Sequence, residues 1–178
     1  MRDANRLNRA SIVIAPFARN ERKPSAPAKT EFAAVQTALG NYEVAQEFAS
    51  KAVAMDAGNY EAYHIRGIAL DAQGEHKPAE AAFRQGLEIW QGNPTPILNN
   101  LGLNLASQGF LDEAAEVLRK ALETSPNRDE VERNLRIVSA LRESGGRAPS
   151  YLQEQRTAEQ DAAAKKAVPV PATKPKAN

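Results

Sequence analysis

Small and apolar residues recur along this chain at steps of 34 and 35 residues, and that period limits what it can fold into. Gly40, Gly74 and Gly109 form one column, Ala45, Ala79 and Ala114 a second, and Ala49, Phe83 and Leu118 a third. Ala52, Gly86 and Ala121 keep the same steps, as do Ala33, Gly67 and Gly102, and Tyr42, His76 and Leu111. Chance composition does not hold so many columns to one period. A period of about 34 residues with two helices per unit is the signature of a helical solenoid. Such units stack because one helix pair cannot cover its own apolar faces.

The last full unit, Thr95 to Arg128, shows the internal pattern best. Leu98, Leu101, Gly102 and Leu105 lie at helical spacing, Gly109 interrupts, and Asp112 opens a second helix carrying Ala114, Ala115, Val117, Leu118, Ala121 and Leu122. Pro126 closes the unit, because proline cannot continue a helix. Counting back by the period predicts second helices at Tyr42–Met55 and Lys77–Trp90 and first helices at Thr30–Leu39 and Tyr60–Ala72. Gly67 and Gly102 each cost about 1 kcal/mol against alanine inside a helix, which is tolerable where a neighbouring helix must pass close by. After the third unit, residues 129–143 form a lone helix with Val131, Leu135, Val138 and Leu141 on one stripe and charges elsewhere. That pattern suits an end cap.

These columns resemble the tetratricopeptide repeat family. The matching residues are Leu98, Leu101, Gly102, Leu105, Ala114, Leu118, Ala121 and Pro126 in one unit, and Tyr63, Gly67, Leu70, Ala79, Phe83 and Gly86 in the unit before. The resemblance implies an all-α fold over residues 29–143: three helix-turn-helix repeats and a capping helix at 129–143.

Charge marks the flanks. Residues 1–29 carry a net +5, residues 30–144 a net −7 and residues 145–178 a net +3. Residues 1–28 are expected to be a disordered basic arm. Their apolar run Ile12-Val13-Ile14-Ala15 ends at Pro16 and is shorter than the core of a secretory signal, about 7 residues or more. Residues 144–178 are expected to be mostly a disordered basic tail with a marginal helix at 151–167. With no complete signal, no apolar span and no cysteine for lipidation, a cytoplasmic location is favoured.

Chemistry-bearing patterns are sparse. The two histidines, His64 and His76, fall on different helices with no metal-ligand spacing around them, and no metal or cofactor is expected. Asp112-Glu113 and Asp129-Glu130 stand at helix starts, where negative charge favours the dipole. No phosphate loop or nucleophile motif is present, so no enzymatic activity and no small-molecule substrate are expected.

Binding remains. In the resembled family, first helices line a concave groove that takes a peptide or protein segment. By that geometry Ile68, Leu103 and Ile137 share one position in successive units, His64, Asn99 and Arg133 the position four residues earlier, and Asn100 and Asn134 the next. These residues are the expected partner-binding groove, with apolar anchors on the partner and asparagines reading its backbone. Chaperone-tail binders of the family use a carboxylate clamp. Thr30, Ala34, Ile65, Pro96 and Asn100 occupy those positions, and only Asn100 fits.

The stretch Ile97 to Leu122, followed by Glu132 to Leu141, also resembles repeat proteins of Tad/Flp-type pilus assembly and secretion systems. It implies a non-lipidated bacterial relative in such a pathway. The alternative expectation is a basic-armed accessory protein that docks on nucleic acid or anionic membrane through its tails.

Overall fold

The computed structural model describes residues 2–125 and 128–143, and every element in them is helical. In order these are α1 (Arg2–Ala18), α2 (Ala26–Ala38), α3 (Tyr42–Met55), α4 (Tyr60–Ala72), α5 (His76–Glu88), α6 (Thr95–Ser107), α7 (Leu111–Thr124) and α8 (Arg128–Glu143). Three antiparallel pairs, α2/α3, α4/α5 and α6/α7, stack in sequence, and α8 closes the last of them. Pro126, the tail 144–178 and its expected helix at 151–167 lie outside the described residues.

Local chemistry sets the helix ends. Ser25 caps α2 by accepting the Ala28 amide at 3.3 Å, and Asn59 caps α4 by accepting that of Ala62 at 2.9 Å. Inside each repeat the pair turns at a glycine with left-handed backbone, as at Gly74 (φ +79°) and Gly109 (φ +83°). In the second and third repeats the two helices then press together at a second glycine. A Cβ on Gly102 would lie 2.6 Å from Leu118 Cγ, and one on Gly67 would collide with the Phe83 ring. The packing therefore selects hydrogen at both positions.

Two apolar clusters result. Leu70, Phe83, Ile97, Leu101, Leu105, Leu118, Val131 and Val138 belong to one that runs from α4 to α8. The other joins α1, α2 and α3 through Ala18, Phe32, Ala33, Phe48 and Ala49, with Phe32 and Phe48 edge to face at 4.7 Å.

The N-terminal stretch corrects the sequence expectation. Residues 1–28 do not form a free arm, because α1 occupies Arg2–Ala18 and α2 already begins at Ala26. Stepping back 34 residues from Ala45, Phe48, Ala49 and Ala52 lands on Ser11, Ile14, Ala15 and Ala18. Thus α1 is the second helix of a further repeat, and its inner side rests on α2. Ala18 is fully buried, and Gln36 Nε2 donates to Ser11 Oγ at 2.8 Å. Lys29, only 2% exposed, donates its ammonium to the Ala18 carbonyl at 2.8 Å and to Glu21 at 3.3 Å. A cation at this C-terminal carbonyl complements the helix dipole. Pro16 sits in the last turn of α1, where these contacts offset the hydrogen bond it removes.

The last described helix also keeps the period. Arg136 follows Gly102 by 34 residues, so α8 is a first helix with arginine at the position of closest approach. Its inner side, Val131 and Val138, is buried against the third repeat, while Ile137 and Leu141 are exposed.

Candidate partner-binding groove

First helices approach one another directly along the stack, α2 to α4, α4 to α6 and α6 to α8. Second helices stand apart on the outer side, where Arg84 of α5 bridges to Glu113 of α7 at 2.5 Å. The first helices therefore line the concave face.

On that face polar side chains join neighbouring helices. Asn100 donates its amide to Nε2 of His64 at 2.8 Å, and Asn134 donates to Asn99 Oδ1 at 2.9 Å. Further along, Asn104 donates to Asp71 Oδ1 at 2.6 Å and to the His76 carbonyl at 3.0 Å, while Gln108 donates to Glu80 at 3.0 Å. His76 Nδ1 lies 2.7 Å from the same Asp71 oxygen. These bonds tie α6 to α4, to α5 and to α8, and so hold the first helices at their relative offsets.

His64 is the most perturbed group. The Phe83 and Trp90 rings flank its imidazole, with centroids at 6.0 and 5.4 Å, and burial pushes its pKa down to about 4. The ring is therefore neutral at pH 7, which matches Nε2 acting as acceptor for Asn100. Trp90 also packs on Tyr60 and donates Nε1–H to the Asn93 carbonyl at 3.0 Å. It holds the linker after α5 against α4.

The expected groove residues divide into two sets. His64, Asn99, Asn100 and Asn134 come together as bonded pairs; Asn99 is buried, and Asn100 and Asn134 are half-buried. Ile68 and Leu103 are also half-buried, with Ile68 packed on the core, whereas Arg133 and Ile137 are exposed, Ile137 at 53%. The apolar line thus becomes more exposed from α4 to α8. Beside the pairs lies a cleft of about 270 Å³ lined by Asn93, Thr95, Pro96, Asn99, Asn100, Ser125, Glu130 and Val131. Thr95 and Glu130 were read only as a unit boundary and a helix-start charge, so their place beside the cleft escaped the sequence reading. Asn104 escaped too, although a polar residue on the apolar stripe Leu98, Leu101, Leu105 was a visible signal.

Comparison with known proteins agrees with this architecture. Residues 60–89 and 97–125 each match a tetratricopeptide repeat family model. These segments are tetratricopeptide repeats, and the described chain is a tetratricopeptide-like solenoid. No curated protein sequence matches it. Among solved structures, a crystal structure of MamA is similar with a TM-score of 0.68 at 20% identity, over 91% of this chain and 94% of that one. The second tetratricopeptide domain of human RPAP3, in complex with an HSP70 peptide, aligns with a TM-score of 0.60 at 20% identity, over 64% of this chain and 94% of that domain. YrrB, described as having an unusual peptide-binding site, aligns with a TM-score of 0.59 at 23% identity over 68% of this chain; the match spans 61% of YrrB. At these identities the likeness concerns the fold.

Proposed function

We propose that this chain is a non-enzymatic scaffold that holds a segment of a partner protein in its concave groove. The observation that carries the reading is the cleft that Asn99 and Asn100 of α6 line together with Glu130 and Val131 of α8, between two successive first helices. The HSP70 peptide held by the similar RPAP3 domain supports the same use of the fold. Since Asn100 alone fits the carboxylate clamp, the occupant needs no terminal carboxylate. It binds through two or three apolar anchors, with Asn100 Oδ1 free to accept a backbone amide after its NH₂ group has bonded His64.

The pathway reading, an accessory role in bacterial pilus assembly or secretion, rests on the sequence resemblance of Ile97 to Leu122 and Glu132 to Leu141. The test is affinity capture from the source cell with the full chain and with its Leu103→Asp variant. The parent is expected to retain a pilus or secretion component that the variant loses while its helicity is unchanged. Equal capture by both proteins would place the partner site off this face.

A further inference from the structure

The outward face of α1 departs from every other second helix. Val13 stands where the later repeats have Glu47, Ala81 and Glu116, and Phe17 where they have Lys51, Gln85 and Lys120. Those six residues are all exposed, as an outer surface requires. On α1 the same columns are apolar, and the side chains stay in water: Ile12 is 73% exposed, Val13 68% and Phe17 63%. Ile12 shares the column of Gln46, Glu80 and Ala115, which is half-buried or buried in the later repeats, whereas the columns of Val13 and Phe17 are exposed in all of them.

Charge identifies what covers them. Arg9 and Val13, and then Val13 and Phe17, are i, i+4 neighbours, and Arg6 lies one turn before Arg9. From Ala4 to Arg19 there is no carboxylate, and the next one, Glu21, is held by Lys29. Arg22 and Lys23, both exposed, extend the basic character beyond the helix. The face is therefore bulky apolar groups within a frame of cations. A second copy of α1 offers a single carboxylate, Asp3, against Arg2, Arg6 and Arg9, and nucleic acid offers no apolar counterpart to Ile12, Val13 and Phe17. An anionic lipid surface offers both, acyl chains under the apolar groups and phosphates beside the arginines. No described helix is long and apolar enough to cross a membrane, so the contact is with the surface.

We infer that α1 docks this protein on anionic lipid membranes, with Ile12, Val13 and Phe17 seated in the interface and Arg6 and Arg9 at the headgroups. This is independent of the groove, which opens on the opposite side of the stack. The test is flotation of the full chain with vesicles of phosphatidylcholine, or of phosphatidylcholine with about one-third phosphatidylglycerol, at about 0.1 M NaCl. The chain is expected to float with the anionic vesicles and to bind the neutral ones at least about tenfold less. Val13→Glu with Phe17→Lys installs the residues of the first repeat and should abolish flotation while circular dichroism stays unchanged. Arg6→Gln with Arg9→Gln leaves the apolar groups in place and should weaken binding about 25-fold, near fivefold per arginine. Absence of flotation, equal binding to neutral vesicles, or binding untouched by both double variants overturns the inference. So does a dimer in solution that Val13→Glu with Phe17→Lys dissolves while no lipid is bound, since the face would then belong to a second copy.

Discussion

Asn100 and His64, 36 residues apart, meet at 2.8 Å on the concave face, and the bond requires a neutral imidazole. Protonation would turn Nε2 into a donor facing the Asn100 amide and charge a ring packed between Phe83 and Trp90. The folded-state pKa of about 4 lies below the ordinary 6.5, so between these values the unfolded chain binds the proton more tightly.

Stability from this group is accordingly complete above about pH 6.5 and lost as pH falls toward 4. Partial solvent screening brings the expected loss to about 2 kcal/mol. Urea unfolding of the parent and of His64→Gln at both ends of that window checks this. The parent should lose about 2 kcal/mol more than the variant, and parallel pH profiles would refute the assignment.

Gly102→Ala should destabilise the fold despite alanine's better helix propensity. The added methyl would sit 2.6 Å from Leu118 Cγ, and overpacking of this kind costs about 1–3 kcal/mol, against about 1 kcal/mol gained in propensity. Combining it with Leu118→Ala should give a smaller loss than the two single changes added together. Denaturant midpoints for the four proteins of that cycle decide the matter.

Ala18→Asp tests whether α1 is docked. It would place a carboxylate in a fully buried site against Phe32 and Phe48, beside a carbonyl already bonded by Lys29. Undocking should raise amide exchange across residues 2–18 to near the unstructured rate while α4 to α7 keep their protection. Unchanged exchange in α1 would mean that this packing contributes nothing.

A chain ending at residue 125 should aggregate, because α8 supplies Val131 and Val138 to the cluster that contains Leu118. One ending at residue 143 should melt with the parent. Light scattering and thermal melts distinguish the two, and a stable monomer ending at residue 125 would remove α8 from the core.

The period made the stack legible, because the columns that keep it are the ones where helices touch. Tyr42–Met55 and Tyr60–Ala72 have the bounds the spacing predicted. The first helix of the stack was hidden by its chemistry. Ser11 stands where later repeats have alanine, and Pro16 and the arginines read as punctuation and charge, so Ile14, Ala15 and Ala18 passed unnoticed on the same 34-residue step. The groove was legible only as a face. Periodicity places Asn100 and Asn134 in one column, but it cannot say that one amide reaches His64 and the other Asn99. That depends on the offset between adjacent helices, which packing decides.

Arg136 has a further consequence. Growth of a helical stack needs a glycine or alanine where the next helix crosses, and α8 presents an exposed arginine there. The molecule therefore has a polarity its repeats alone would not give it: a helix laid on α8 as α7 lies on α6 would meet arginine where the earlier repeats present glycine or alanine.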